Sequence, residues 1–234
     1  MKTVLITGTS KGIELETVLA FGRAGYKVFA TMRNPENAAT FKQQIKAESL
    51  PISIHKMDVD SDESVKQSME TIIQENGIID VLVNNAGIEH NSSIEEMEMT
   101  DFKAVMETNY FGVLPCIKSV LPIMRKNRKG CIINISSVFG HIASTALDTY
   151  SASKQVLEAI FEALAQEVKP FNIRVAILEP GIINTDMARD INVVNSSIYP
   201  QSKRFGELFA AYLKTPTPPS LVADTILGIA ESGT

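Results

Sequence analysis

The feature that most constrains this chain is an alternation, sustained to about residue 180, of short apolar runs rich in β-branched residues with longer amphipathic stretches. The runs are Thr3 to Thr7, Lys27 to Met32, Ile52 to Met57, Val81 to Val83, Cys131 to Ile135 and Arg174 to Leu178. They are nearly continuous in hydrophobic residues, as strands are when both faces of a parallel sheet are covered. Between them, Gly12 to Ala24, Glu36 to Glu48, Asp62 to Asn76, Met99 to Lys126 and Asp148 to Val168 carry the spacing of helices with one buried face. Parallel neighbours need right-handed crossovers, so the alternation predicts an α/β fold with a doubly wound parallel sheet of six strands in order 3-2-1-4-5-6. No linker or shift in composition divides the chain before Pro180, and residues 1–234 are expected to form a single domain.

After Pro180 the pattern weakens. Thr185 to Pro219 mixes polar and apolar residues and ends in Thr215-Pro-Thr-Pro-Pro219, a stiff connector, before a short helix from Ser220 to Glu231. A long irregular segment placed after the last strand is expected to be a lid, at about residues 185–219. Its apolar residues are Met187, Ile191, Val193, Val194, Ile198, Phe205, Leu208, Phe209 and Leu213, with Ile182 just before them. They fit either an apolar substrate or the lid's own packing.

Composition narrows the partners. A net charge of −5 argues against a general nucleic-acid binder. Cys116 and Cys131 sit in apolar settings and read as buried, reduced thiols, which suits a cytoplasmic chain. The apolar run near the N-terminus is too short for a signal peptide, and no stretch approaches a membrane span. The three histidines, His55, His90 and His141, lack ligand spacing, so no metal is expected. His141 is near enough to Ser137 in sequence to touch a substrate.

The first strand runs directly into Thr7-Gly8-Thr9-Ser10-Lys11-Gly12-Ile13 and then a helix. Glycines in such a turn let the backbone approach a pyrophosphate, and the helix N-terminus offers free N–H groups and partial positive charge. This is a Rossmann-like arrangement. After the second strand, where an acid would hold the ribose hydroxyls of NAD(H), the chain has Arg33, and Lys11 lies in the first turn. Two cations and no acid favour NADP(H) over NAD(H).

Tyr150 and Lys154 are four residues apart on a helical pattern and share a face. Asn84-Asn85-Ala86-Gly87 ends the fourth strand, Ser136-Ser137 the fifth and Pro180-Gly181 the sixth. Carboxyl ends of strands are where open α/β sheets bind ligands. Hydride addition to a carbonyl builds negative charge on oxygen, which calls for a donor and then a proton. A nearby ammonium is expected to lower the phenol pKa toward that task, and Ser137 can orient the oxygen.

In combination these motifs resemble the short-chain dehydrogenase/reductase family over nearly the whole chain, with local likeness to the branch of 17β-hydroxysteroid dehydrogenases and retinol reductases. The resemblance implies that Ser137, Tyr150 and Lys154 are catalytic and that Asn109 holds a water near the lysine. It further implies that Thr7, Gly8 and Gly12 shape the pyrophosphate turn, with Asp58 and Val59 at the adenine. Asn85, Ala86 and Gly87 would wall the ribose, and Ile183 and Thr185 grip the carboxamide. The expected activity is hydride transfer between NADP(H) and a carbonyl or secondary alcohol, on a small apolar ketone, aldehyde or steroid- or retinoid-like substrate.

Two departures from the family pattern stand out. The third glycine of the first turn is Glu14, whose charge would face a diphosphate and is expected to weaken or alter cofactor binding. The chain also stops soon after the helix that precedes a seventh strand, so that strand is expected to be missing. The long helices near 99–126 and 148–168 are expected to carry a homodimer contact, with a tetramer as the other possibility. An alternative reading is a nucleotide-binding regulator, or a variant whose turnover Glu14 has weakened. An epimerase-type relative is disfavoured because no separate substrate domain follows.

Overall fold

A computed structural model of the chain describes residues 1–10, 12–190, 197–215 and 217–232. Six strands, β1 (Thr3–Ile6), β2 (Lys27–Met32), β3 (Ile52–Lys56), β4 (Val81–Asn84), β5 (Gly130–Ile135) and β6 (Ile173–Leu178), form one sheet in order β3-β2-β1-β4-β5-β6. Every pairing is parallel. The chain winds outward one way from β1 and the other way from β4. Their carboxyl ends therefore part and open a crevice.

Alternation along each strand feeds two cores. Val4 and Ile6 face one side with Val28 and Val83, under Val18 and Phe21 of α1 (Ile13–Arg23) and Phe41 of α2 (Ala39–Glu48). Leu5 faces the other side with Phe29, Leu82 and Ile132. There it meets Met69 and Ile72 of α3 (Asp62–Asn76) and residues of the two long helices described below. Side chains of this kind contribute about 1.5–3 kcal/mol each on full burial, so the continuous apolar runs are explained by covering both faces. Both cysteines are buried within these cores. Burial pushes the Cys116 thiol up to about 12, which leaves it unreactive.

The helix expected over 99–126 is two helices. α4 (Met99–Met106) gives way to a π-type turn at Glu107–Phe111, and α5 (Val113–Asn127) follows Gly112. The cause is close packing. A Cβ on Gly112 would lie 2.9 Å from the Val59 carbonyl oxygen, and Asn109 reaches sideways to bind the backbone of Ile88 through both ends of its carboxamide. Such one-turn π bulges recur at functional sites. α6 (Asp148–Val168) then runs unbroken and packs Phe161 and Leu164 onto the sheet.

The segment expected to be irregular over 185–219 contains α7 (Asp186–Asp190) and α8 (Pro200–Tyr212). Proline in the first turn suits the start of α8. Phe205 and Phe209, four apart, place both rings against Phe139 with centroids 6.3 and 6.4 Å away. Residues 191–196 and Pro216, part of the expected lid and connector, lie outside the described residues. α9 (Pro219–Glu231) returns to α1, and Arg174 of β6 donates to the carbonyls of Ile229 and Ala230 near its end. Among the described residues, no helix is long and apolar enough to cross a membrane.

Candidate active site

The crevice holds two adjoining cavities, of about 410 Å³ and about 100 Å³. Ile13, Glu14, Gly87, Thr185 and Met187 line both, so they form one groove across the carboxyl edge of the sheet.

The larger half is built by the first turn. Gly8 has φ 76°, and a Cβ there would stand 2.7 Å from Cα of Ala86, so only glycine lets β1 and β4 loops meet. Thr7 is buried, and its Oγ1 accepts from the backbone N–H groups of Asn85 and Ala86, each at 3.1 Å. It therefore ties the two lips of the groove together. Of the residues expected at the cofactor, Gly8, Ser10, Gly12 and Ile13 line the cavity, as do Arg33, Asp58, Val59, Ala86 and Gly87. Thr9 does not. It is fully buried, and its N–H and hydroxyl both bind the Thr31 carbonyl, which makes it a clamp on β2. Lys11 lies outside the described residues. Arg33 is exposed, with Asp60 at 3.9 Å; Asn34, Asn37 and Asp60 also line this end, although no motif announces them.

Glu14 stands where the two cavities meet, and its Oε2 would touch a Cβ placed on Gly12 at 3.0 Å. Its charge also reaches Lys154, whose ammonium it favours.

The smaller half gathers Asn85, Ser137, Tyr150, Lys154, Pro180, Gly181 and Ile183. Ser137 shares the cavity with the Tyr150 phenol and favours its charged form. Lys154 is 4% exposed, its Nζ lies 5.5 Å from the Tyr150 ring centroid, and it donates to the Ile135 carbonyl at 2.8 Å. Desolvation lowers the Lys154 pKa to about 8, against the charges of Glu158 and Glu14. The expected lowering of the Tyr150 pKa is not what the structure gives. Burial raises it, the Ser137 hydroxyl only partly opposes this, and the Glu89 charge adds to the rise. The phenol is thus a protonated donor at neutral pH.

Asn109 lies beside this group, but its side chain is committed to Ile88 and to Ser153 Oγ at 2.9 Å, so it braces the loop after β4 against α6. The Asn85 Nδ2 is buried without a partner in the groove wall. Of the expected lid residues, Ile182, Met187 and Phe209 line the catalytic cavity, whereas Ile198 and Leu208 are exposed. Phe205 and Leu213 pack behind Phe139. Ile191, Val193 and Val194 lie outside the described residues. Sequence reading missed Glu89, which projects into this cavity two residues beyond the Asn85-Ala86-Gly87 stretch. His141 does not line the cavity. Its Nε2 pairs with Glu179 at 3.0 Å, and with Glu158 the three residues bring ligand atoms within 4.8 Å of one another, a grouping that no sequence spacing shows.

The profile of the short chain dehydrogenase family matches residues 2–195. A 3-ketodihydrosphingosine reductase of Bacteroides thetaiotaomicron is 38% identical over 212 residues, covering 90% of this chain and 74% of that protein. Human retinol dehydrogenase 8 is 39% identical over 189 residues, covering 79% of this chain and 60% of its own length. Among solved structures, an actinorhodin polyketide ketoreductase variant with NADPH superposes with a TM-score of 0.89 at 28% identity, covering 99% of this chain and 91% of that one. The chain belongs to the short chain dehydrogenase family, and it is an oxidoreductase with that family's fold.

Proposed function

We propose that the protein is an NADP(H)-dependent reductase of small, largely apolar carbonyl compounds, and that Tyr150 supplies the proton. The observation that carries this reading is the shared cavity of Ser137, Tyr150 and Lys154, continuous with a groove that has Arg33 at its far end. The residues present fit a dinucleotide: Gly8 clears the backbone, Asn85 offers an unused buried donor and Arg33 offers a cation for a 2′-phosphate. When bound, the reduced nicotinamide supplies the hydride. Gly12, Ile13 and Ser10 would cradle the pyrophosphate. Asp58 and Val59 would meet the adenine, and Ala86 and Gly87 the ribose. Pro180, Gly181, Ile183 and Thr185 would flank the carboxamide.

Ser137 donates to the substrate oxygen and orients it, and Tyr150 Oη delivers its proton there. The phenol carries its proton at neutral pH, the form that reduction requires. Lys154 holds a positive charge behind the phenol, and Asn109 keeps the 85–88 loop fixed beside it. The segment at about 185–219 acts as a lid on the single domain, with Met187 and Phe209 as its inner wall. Exposed Phe111 and Val156, near the long helices, suit contact with a second copy. The test follows NADPH consumption by its near-ultraviolet absorbance across a panel of ketones and aldehydes, with NADH in parallel. Turnover of no carbonyl, or turnover with NADH alone, overturns the reading.

A further inference from the structure

Besides Glu14 at its border, the catalytic cavity contains one ionisable group that the proposed chemistry does not use. Glu89 shares the cavity with Ser137 and Tyr150, while Phe139, Leu147, Met187 and Phe209 supply apolar walls. Its carboxyl accepts from Asn91 Nδ2 at 3.2 Å. Among the described residues no lysine, arginine or histidine forms an ion pair with it. The charged or titratable groups that share its cavity or act on it are Glu14 on α1, Tyr150 and Lys154 on α6 and Asp190 on α7, and Asp190 makes its ionisation harder. A carboxylate desolvated in this way is unfavourable unless an opposite charge arrives. Desolvation accordingly lifts its pKa to about 8.

A ligand that only filled the apolar walls would leave this penalty in place. A ligand bearing an ammonium would remove it, restoring the carboxylate and releasing the proton that Glu89 otherwise carries at neutral pH. Lys154 lines the same cavity and would repel such a cation, and Glu14 also borders the half that a dinucleotide would fill, whereas Glu89 lines the catalytic half alone and is the station left for it. We propose that Glu89 is a cation subsite, and that the carbonyl substrate carries a protonated amine a short chain away from the carbonyl held by Ser137 and Tyr150. This rests on the reductase reading above and narrows its substrate class.

The test compares two methyl ketones of equal length with NADPH, one ending in a dimethylammonium group and the other in the isosteric isopropyl group, over several chain lengths. The wild-type protein is expected to favour the cationic ketone by about tenfold in kcat/KM at its best length. In Glu89→Gln that ratio falls to one or below, and Glu89→Asp restores part of it. A wild-type ratio of one or less at every length, or a ratio unchanged in Glu89→Gln, overturns the subsite. If neither ketone is reduced, it is the reductase reading that fails. Binding of the same pair, followed by NMR titration of the NADPH-saturated protein, then decides the subsite: Glu89-dependent preference for the cation supports it, and equal binding overturns it.

Discussion

At the β2 and β3 end of the groove, Arg33, Asn34 and Asp60 stand open to water, whereas at the β5 and α6 end Lys154 and the Tyr150 phenol are closed in beside Phe139, Leu147 and Phe209. Solvent screens what the charges of the first region do to one another. In the second, burial resets protonation: Lys154 and Tyr150 are both pushed toward their neutral forms, and so is Glu89. The difference teaches where substitutions should act gradually and where they should act as switches. Glu14 sits at the border of the two.

The sharpest break would come at the enclosed end. Tyr150→Phe keeps the ring and removes the proton, so kcat should fall by about 10²–10⁴-fold while NADPH still binds. Turnover near the wild-type rate would show that the donor is another group. At the border, a carboxylate about 4 Å from a diphosphate charge is repelled by about 4 kcal/mol at an effective dielectric near 20, less whatever solvent and the helix N-terminus relieve. Glu14→Gly should therefore tighten NADPH by tenfold or more, read from a fluorescence titration. No gain would mean that the side chain turns away when the cofactor enters. At the open end the effect should be milder. Arg33→Ala is expected to weaken NADPH about five- to tenfold and leave NADH nearly unchanged, and an equal loss for both would remove Arg33 from the 2′-phosphate.

The smallest expected change concerns stability. The folded pKa of Lys154, about 8, lies below the ordinary lysine value, so the unfolded chain binds more protons between those two pH values. Stability should rise with pH across that window, and below it the buried ammonium costs about 3 kcal/mol. Lys154→Met removes that cost but also the bond to Ile135, which returns about 1 kcal/mol. A rise in Tm of about 4–8 °C at neutral pH is expected, with activity lost. A lower Tm in the melting curve would show that the ammonium stabilises the fold.

The sheet was legible because its signal is local: Lys27–Met32 and Asp62–Asn76 could be read to the residue, and each run of β-branched residues became a strand in the expected order. The motif residues of the groove converge for the same reason, since each follows the carboxyl end of a strand. What sequence could not show depends on contacts between distant segments. Thr9 sits in the glycine turn yet faces β2, because the Thr31 carbonyl takes both of its donors. α8 escaped notice because its polar face is broken by Phe205, Phe209 and exposed Leu208, and only the position of Phe139 shows which side is inward. The direction of the Tyr150 shift likewise needed the walls around it. The Ser137 hydroxyl favours the charged phenol, but burial outweighs it.

The π-type turn at Glu107–Phe111 has a consequence for the length of the chain. Each residue advances a helix by about 100°. That wide turn takes up one residue more than an α turn, so removing a single residue would let the coil run on regularly with Cys116 and Val120 still on the sheet, but it would draw Asn109 away from Ile88. Spacing here is thus as strict a requirement as residue identity, and a one-residue deletion between α4 and α5 should be worse tolerated than most point substitutions in the same stretch.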